Sequence, residues 1–384
     1  MTIGIIGAGA MGAGIAQVLA GAGHPVRLLD QSADALARAT AGIAANWQRL
    51  SEKDKLSTAD VAAATARLHP TSALADLADC GLVLEAVVED LAVKQALFRQ
   101  VEGVVSADCW LASNTSSLSL TAIAAACQWP ARFLGIHFFN PAPLMRLVEV
   151  VPAAQTRPGL ADEARALVAS WGKLPVLAQD TPGFIVNRVA RPYYGESLRI
   201  LEEGMADMAT IDWALTTRGG FRMGPFALMD FIGHDVNYRV TEAIWTAFYY
   251  DPRYRPSLTQ KRLLDAGYLG RKTGRGFYDY APGAPVPAPI EDNDLADNIV
   301  RRVVAMLINE AAEALLLGVA TRDDLETAMT TGVNYPKGLL AWADELGPTA
   351  VLATLDELFA DYHEERYRAS PLLRRMARAS QRFF

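Results

Sequence analysis

His137 and Glu149 are, by residue type and spacing, the pair in this chain best suited to moving a proton. Residues 135 to 149 read GIHFFNPAPLMRLVE. A histidine stands where the strand-like residues Arg132 to Ile136 give way to a proline-punctuated loop, and a second strand-like run then delivers the carboxylate. An imidazole at a strand end with a carboxylate nearby is the usual construction of a general base, because the carboxylate fixes the tautomer and stabilises the imidazolium. For His137 alone, a core histidine satisfied by a backbone carbonyl is the competing reading.

The second chemical signal lies at the N-terminus. Thr2 to Ile6 is an apolar strand that runs into Gly7-Ala8-Gly9-Ala10-Met11-Gly12, then a helical pattern through Ala20, and the strand Val26 to Leu29 ends in Asp30. In this order the pieces form a dinucleotide site. Gly7 permits the tight turn, Gly9 lets backbone approach a pyrophosphate, and Gly12 allows close packing of helix on strand, while the phosphate meets the helix N-terminus. Met11 sits inside the same loop and counts with it as cofactor-binding. Asp30 can bond the ribose hydroxyls of NAD but repels the phosphate that NADP carries there, and Gln31-Ser32 offer no cation instead. NAD is therefore the expected cofactor.

Composition fits a soluble multidomain enzyme. The chain has 384 residues, 51% of them apolar, which suggests two or three domains with sizeable cores. A net charge of −7 argues against nucleic acid as a partner and leaves attraction for anionic ligands to local basic clusters. Cys80, Cys109 and Cys127 are odd in number and far apart, so neither a disulfide framework nor a metal knuckle is implied, and a reducing, cytoplasmic compartment is expected. The apolar start lacks a basic lead-in and already serves as the first strand, so it does not read as a signal peptide. Ile299 to Ala320, the most apolar later stretch, is interrupted by Arg301, Arg302, Asn309, Glu310 and Glu313, and reads as a core helix, with no membrane span expected. His24, His69, His234 and His363 have no spaced partners, so no metal is expected.

The elements that must position these residues give an α/β fold. Strand-like runs at Leu82 to Glu85, Trp110 to Ser113, Arg132 to Ile136, Leu147 to Val151 and Val176 to Ala178 alternate with helical segments, the signature of an open, largely parallel, doubly wound sheet of Rossmann type. This NAD-binding domain is expected over residues 1–181. From residue 182 to 280 the pattern is helical, the proline-rich stretch within 281–298 reads as a linker, and 299–384 is helical again. The two helical domains repeat each other. Sliding Ile185 to Gly233 forward by 114 positions onto Ile299 to Gly347 needs no gap, and fifteen of forty-nine pairs are identical, among them Glu196/Glu310, Gly224/Gly338, Asp230/Asp344 and Gly233/Gly347. Matched Gly and Asp positions in an ungapped run mark the duplication of one unit.

Together GIIGAGAMGAGIA, VVEDLAVKQALF, ASNTSSLS, GIHFFNPAPLMRLVEVV, DTPGFIVNR, GPFALMDFIG and RKTGRGFYDY resemble the L-3-hydroxyacyl-CoA dehydrogenase family over residues 3 to about 280. The tail motifs NEAAEALLLGVA, GVNYPKGLLAW and HEERYRASPLLR look more narrowly like the bacterial 3-hydroxyadipyl-CoA and 3-hydroxybutyryl-CoA dehydrogenases of phenylacetate catabolism. Relatives of that group commonly carry a long segment between their helical units, where this chain has only a short linker. The resemblance implies an enzyme that oxidises a (3S)-3-hydroxyacyl-CoA to the 3-oxoacyl-CoA with NAD. It makes His137 the base, Glu149 its orienting partner, and Ser116 and Asn187 hydrogen-bond donors to the substrate oxygen and thioester region. Asn114, Asn140, Glu89, Lys94 and Lys272 match cofactor-contacting positions.

Local structural roles compete with several of these assignments. Ser116 and Asn114 could cap the helix after the strand, Asn187 the helix beginning near Phe184, and Glu89 with Lys94 could be a solvated helix pair. Arg49, Lys53 and Lys55 are candidates for the phosphates of an acyl-CoA substrate, as are the six arginines from Arg366 to Arg382, although a solvated helix face explains both clusters as well. A cation for a distal acyl carboxylate could come from Arg191, Arg222 or Arg239. A non-catalytic NAD-binding protein on the same scaffold is the alternative from another class, and the presence of His137 and Glu149 speaks against it. The second copy has arginine at 301 where Asn187 stands in the first, so it is expected to form no active site and to pack on the first as an internal pseudo-dimer; a homodimer is a further expectation.

Overall fold

The computed structural model describes residues 1–384. The chain divides into two units, Met1–Thr181 and Pro182–Phe384.

The first unit is an eight-stranded sheet in the order β3-β2-β1-β4-β5-β6-β7-β8. Its strands are β1 (Thr2–Ile6), β2 (Val26–Leu29), β3 (Leu68–Thr71), β4 (Cys80–Glu85), β5 (Trp110–Ser113), β6 (Phe133–Phe138), β7 (Leu147–Pro152) and β8 (Leu174–Leu177). Helices α1 (Ala10–Gly21), α2 (Ala33–Glu52), α3 (Thr58–Ala66), α4 (Leu91–Glu102), α5 (Leu120–Ala124) and α6 (Leu160–Ser170) connect them. Strands buried on both faces are mainly apolar rather than alternating, as β1, β4 and β6 are, with Glu85 at the end of β4 and His137 near the end of β6 as the charged or titratable exceptions. All neighbours pair in parallel except β6 and β7. The connection from Phe139 to Arg146 is shorter than the dozen or so residues a parallel crossover needs, so β7 can only return antiparallel.

One strand escapes the sequence reading. β3 (LHPT) lies between the strand-like runs Val26 to Leu29 and Leu82 to Glu85, where the residue pattern gives no strand. It is a sheet edge, where proline's missing N–H costs no ladder bond, and it is too short and polar to signal itself.

The second unit is helical. Its first copy contains α7 (Val186–Val189), α8 (Arg191–Glu202), α9 (Met208–Trp213) with a π-turn to Arg218, α10 (Pro225–Ile232), α11 (His234–Ala247) and α12 (Leu258–Asp265). The second has α13 (Asn293–Leu316), α14 (Arg322–Gly332), α15 (Leu339–Leu346), α16 (Pro348–Tyr362) and α17 (Pro371–Ala379). The shift of 114 maps α10 onto α15 and the start of α11 onto that of α16. α13 begins at Asn293, inside the 281–298 stretch, because Asp292 caps it by accepting from the Asp294 and Leu295 amides.

Duplicated residues do duplicated work. Asp212 accepts from the Phe226 and Ala227 amides at the start of α10, and its counterpart Glu326 accepts from Leu340 and Ala341 at the start of α15. Asp230 holds the Phe277 and Tyr278 amides, and Asp344 holds those of Phe383 and Phe384. Across the two copies the charges are exchanged reciprocally. Arg188 of the first meets Glu310 of the second at 2.7 Å, and Arg302 of the second meets Glu196 of the first at 2.5 Å. Tyr254 and Tyr367 complete the pattern, donating to Glu310 at 2.6 Å and Glu196 at 2.9 Å. This reciprocity is what an isologous two-fold interface produces. Around it α13 is buried continuously from Arg302 to Ala314, which explains a helix apolar on nearly every side. Along it Val303, Val304 and Leu307 are fully buried, while Leu315 and Leu316 are only partly so, lying at the helix end.

Candidate active site

The strand order reverses between β1 and β4, and in open parallel sheets ligands bind beyond the carboxyl ends of the strands at that point. The glycine loop follows β1 there. Gly7 has φ +105°, and a Cβ on it would lie 2.6 Å from the Ala86 carbonyl oxygen after β4. At Gly12 a Cβ would lie 1.8 Å from the Gly7 carbonyl oxygen, so both glycines are required by the protein's own packing. Gly9 is different. A Cβ there would meet nothing within 4 Å, so the protein itself leaves room for a side chain; a pyrophosphate on the loop backbone is what would need that room. Met11 lies in the first turn of α1, half-buried.

Asp30 closes this loop from the end of β2. Its carboxylate accepts from the Ala8 amide at 2.7 Å and the Ser32 amide at 2.9 Å. Beyond β4 a second cluster forms. Glu85, fully buried, accepts from the Val87 amide, the Ser113 hydroxyl at 2.7 Å and the Lys94 ammonium. Lys94, 1% exposed, also lies 3.3 Å from Glu89. The solvated helix pair is thereby overturned: Glu89 precedes α4, and Lys94 points into the protein between two carboxylates. Burial alone would raise the Glu89 carboxyl, but Lys94 and the hydroxyls of Thr115 and Ser117 outweigh it and hold the group below the usual carboxylate range.

Glu89 in turn organises the loop after β5, accepting from the Thr115 hydroxyl and from the Ser116 and Ser117 amides at 3.1 and 3.2 Å. Neither Ser116 nor Asn114 caps the following helix; Ser119 does, accepting from the Ala122 amide. Asn114 instead accepts the Phe138 amide at 2.8 Å, tying the β5 loop to the end of β6.

There His137 and Glu149 are brought together. His137 and Glu149 are directly opposite in the antiparallel β6–β7 register, so their side chains leave the sheet on one face. Glu149 Oε2 lies 2.7 Å from His137 Nδ1, and both residues are buried. His137 lies inside β6, with the strand running one residue past it, rather than beyond its end. The Phe139 ring packs 4.5 Å from the imidazole, centre to centre. Asn140 opens the following loop, whose Ala142 and Met145 carbonyls both accept from Lys173.

Asn187 and Lys272 belong to the helical unit. Asn187 sits in the first turn of α7, where no side chain caps the helix; Lys272 pairs with Asp235. Sequence reasoning missed Glu85, Lys173 and Asp180, which hold the site's loops; Asp180 anchors α5 through Ser119, Leu120 and Thr121. An acid ending an apolar strand was the available signal for Glu85. The three cysteines are free and buried. No group of metal-ligating side chains occurs, and no helix is long and apolar enough to cross a membrane.

A groove of about 960 Å³ in the first unit runs from the glycine loop past Asn140 to Leu144 and ends at Arg49, Lys53 and Lys55 on α2 and just beyond it. In the C-terminal arginine cluster, by contrast, Arg374 is engaged by Asp356 and Arg366 is buried beside Glu364.

Comparison with known proteins agrees with this geometry. Residues 2–181 match the family model of the 3-hydroxyacyl-CoA dehydrogenase NAD binding domain, and residues 183–280 and again 299–382 match that of the 3-hydroxyacyl-CoA dehydrogenase C-terminal domain. The chain is 39% identical to a 3-hydroxyadipyl-CoA dehydrogenase of Escherichia coli, over 98% of this chain and 97% of that one. A 3-hydroxybutyryl-CoA dehydrogenase of Bradyrhizobium diazoefficiens is 41% identical over 74% of this chain and 97% of its own. The crystal structure of 3-hydroxybutyryl-CoA dehydrogenase from Escherichia coli K12 superposes with a TM-score of 0.94 at 38% identity, covering 99% of this chain and 98% of that one. With both family domains matched and the glycine loop and the buried His137–Glu149 pair in place, the chain belongs to the 3-hydroxyacyl-CoA dehydrogenase family, whose members are NAD-dependent oxidoreductases.

Proposed function

We propose that His137 is the general base of this dehydrogenase and that Glu149 works through it. The observation that carries the reading is the buried 2.7 Å contact between Glu149 and His137 Nδ1. A carboxylate there accepts the Nδ1 proton, fixes the tautomer and stabilises the imidazolium, so the proton of the substrate's 3-hydroxyl passes to Nε2. NAD, when bound, accepts the hydride from C3. As these two bonds break, the C3–O bond becomes the carbonyl of the 3-oxoacyl-CoA. Ser116 and Asn187 are assigned the hydrogen bonds to the substrate oxygen and thioester region, where charge changes during reaction.

The residues around the cofactor fit it. Gly9 leaves the pyrophosphate room, and Gly7, Met11 and Gly12 shape the loop against it. Asp30 receives the adenosine ribose, while Glu89, Lys94, Asn114, Asn140 and Lys272 are assigned to the cofactor by their family positions. Lys94, buried between Glu85 and Glu89, acts by positioning Glu89. Arg49, Lys53 and Lys55 at the basic end of the groove suit the phosphates of coenzyme A. A cytoplasmic enzyme, with the second helical copy standing in for a partner subunit's domain, completes the reading. Pairing of whole chains as a homodimer belongs to the same proposal, and sedimentation of the intact chain tests it.

Steady-state turnover of 3-hydroxybutyryl-CoA, followed by formation of reduced nicotinamide, tests the reaction. The same assay tests Asp30, which should favour NAD over NADP by roughly 100-fold or more in kcat/KM, equivalent to about 3 kcal/mol, because a second phosphate would meet a carboxylate already fixed by two amides. Comparable efficiency with the two nucleotides would refute this role of Asp30.

A further inference from the structure

Five arginines of this chain are buried to more than nine-tenths: Arg132, Arg188, Arg191, Arg302 and Arg366. Four have a glutamate: Arg132 with Glu102, Arg188 with Glu310, Arg302 with Glu196, and Arg366 with Glu364. Arg191 has none. At 7% exposure its guanidinium donates from Nη1 to the Thr241 hydroxyl at 3.1 Å and stacks on the Tyr194 ring at 4.8 Å, while Nε is enclosed and donates to nothing. Burial holds the group below the ordinary arginine range, and only the Tyr194 and Tyr335 phenols act against that.

Removing a charge from water costs several kcal/mol unless a counter-charge is supplied. The other four buried arginines follow that rule, and the exception calls for an anion from outside the chain. A second orphan sharpens the description. Tyr335, from the helical copy that does not carry Asn187, lies near enough for Arg191 to act on its hydroxyl, and that hydroxyl is enclosed without a partner. A guanidinium edge and a phenol are both donors, and their complement is a group that only accepts and carries negative charge: a carboxylate.

Position along the chain says which carboxylate. Arg191 follows Asn187 by four residues across the α7–α8 junction, where Ala190 keeps right-handed helical dihedrals, and a helical spacing of four residues corresponds to one face and a rise of about 6 Å. Asn187 is assigned to the substrate's reacting end. A chain continuing for three carbons beyond C3 spans roughly one helical turn with its terminal oxygens. We propose that Arg191, assisted by Tyr335, receives a second carboxylate at the far end of the acyl chain, making this a dehydrogenase for 3-hydroxyacyl-CoA substrates that are themselves dicarboxylic. The proposal rests on the reaction assigned above. Arg222 and Arg239, the other cations considered for this task, are exposed and carry no comparable charge deficit.

Two measurements on the full chain decide it. Wild-type enzyme with NAD is titrated calorimetrically with adipyl-CoA and with hexanoyl-CoA, which differ at the chain end and, lacking the 3-hydroxyl, are not turned over. Adipyl-CoA is expected to bind at least tenfold more tightly, and equal or weaker binding overturns the proposal without any variant. In turnover, Arg191→Met should lower the ratio of kcat/KM for 3-hydroxyadipyl-CoA over 3-hydroxybutyryl-CoA by at least 30-fold, and Arg191→Lys should lower it less. A ratio unchanged in Arg191→Met means that the arginine serves the fold alone. Should wild type turn over neither substrate, it is the reaction itself that has been misassigned.

Discussion

Replacing His137 with glutamine is expected to lower kcat by about 10²- to 10⁴-fold, the contribution of one well-placed base, while NAD affinity stays within a few-fold of wild type. The reason is geometric. His137 projects from the interior of β6 opposite Glu149 on β7, whereas the glycine loop and Asp30 that grip the cofactor follow β1 and β2. Glutamine preserves much of the volume and a polar end but cannot carry a proton away. Glu149→Gln should also be severe, and it should act on kcat more than on KM, because an amide at 2.7 Å from Nδ1 no longer compels the tautomer that accepts at Nε2. Activity of His137→Gln within threefold of wild type would remove the histidine from the mechanism.

Ending the chain after Gly283 is expected to produce aggregation or a new dimer. The first helical copy would lose the α13 face it buries, together with both exchanged ion pairs. It would still carry Arg188 and Glu196, the two halves of the reciprocal pair, so two truncated chains could restore both bridges by pairing with each other. Sedimentation and light scattering distinguish the outcomes, and a truncated protein that stayed monomeric, soluble and fully active would show that the second copy replaces nothing. In the intact chain, Glu310→Gln should cost about 3–5 kcal/mol in denaturant unfolding, since Arg188 and Arg253 would remain buried without their carboxylate. Burial pushes the Glu310 carboxyl up, but the two guanidiniums and Tyr254 more than reverse this and hold it below the usual range. A depressed folded-state value means that the stabilisation is complete above the ordinary carboxylate pKa and is lost as pH falls through the lower value, so acid should loosen the wild-type helical unit. Arg301→Asn should create no second active site. Arg301 is half-exposed and pairs with Glu357 of its own copy.

The sequence by itself determined what is local or periodic. The glycine loop, the acid ending β2, the apolar strands and the 114-residue repeat are each written in neighbouring residues, because a tight turn, a two-sided buried strand and a helix each impose requirements on their own segment. His137 and Glu149 are suggested as a pair by two neighbouring strand-like runs and by the family resemblance; the antiparallel register that sets them directly opposite is read only from the structure. What no segment contains was decided by tertiary structure. Lys94 reads as a surface residue four positions into α4 until Glu85, at the end of another strand, becomes the buried acid that claims it. β3 becomes a strand only because β2 offers an edge to a short, proline-bearing segment with little propensity of its own. The reciprocal exchange of Arg188 and Arg302 with Glu310 and Glu196 joins pairs more than 100 residues apart, and that Arg191 is the buried arginine without a carboxylate is equally a matter of what the fold places beside it. Charge compensation in a protein interior depends on which side chains the fold brings together, and the order of residues along the chain carries no direct record of it.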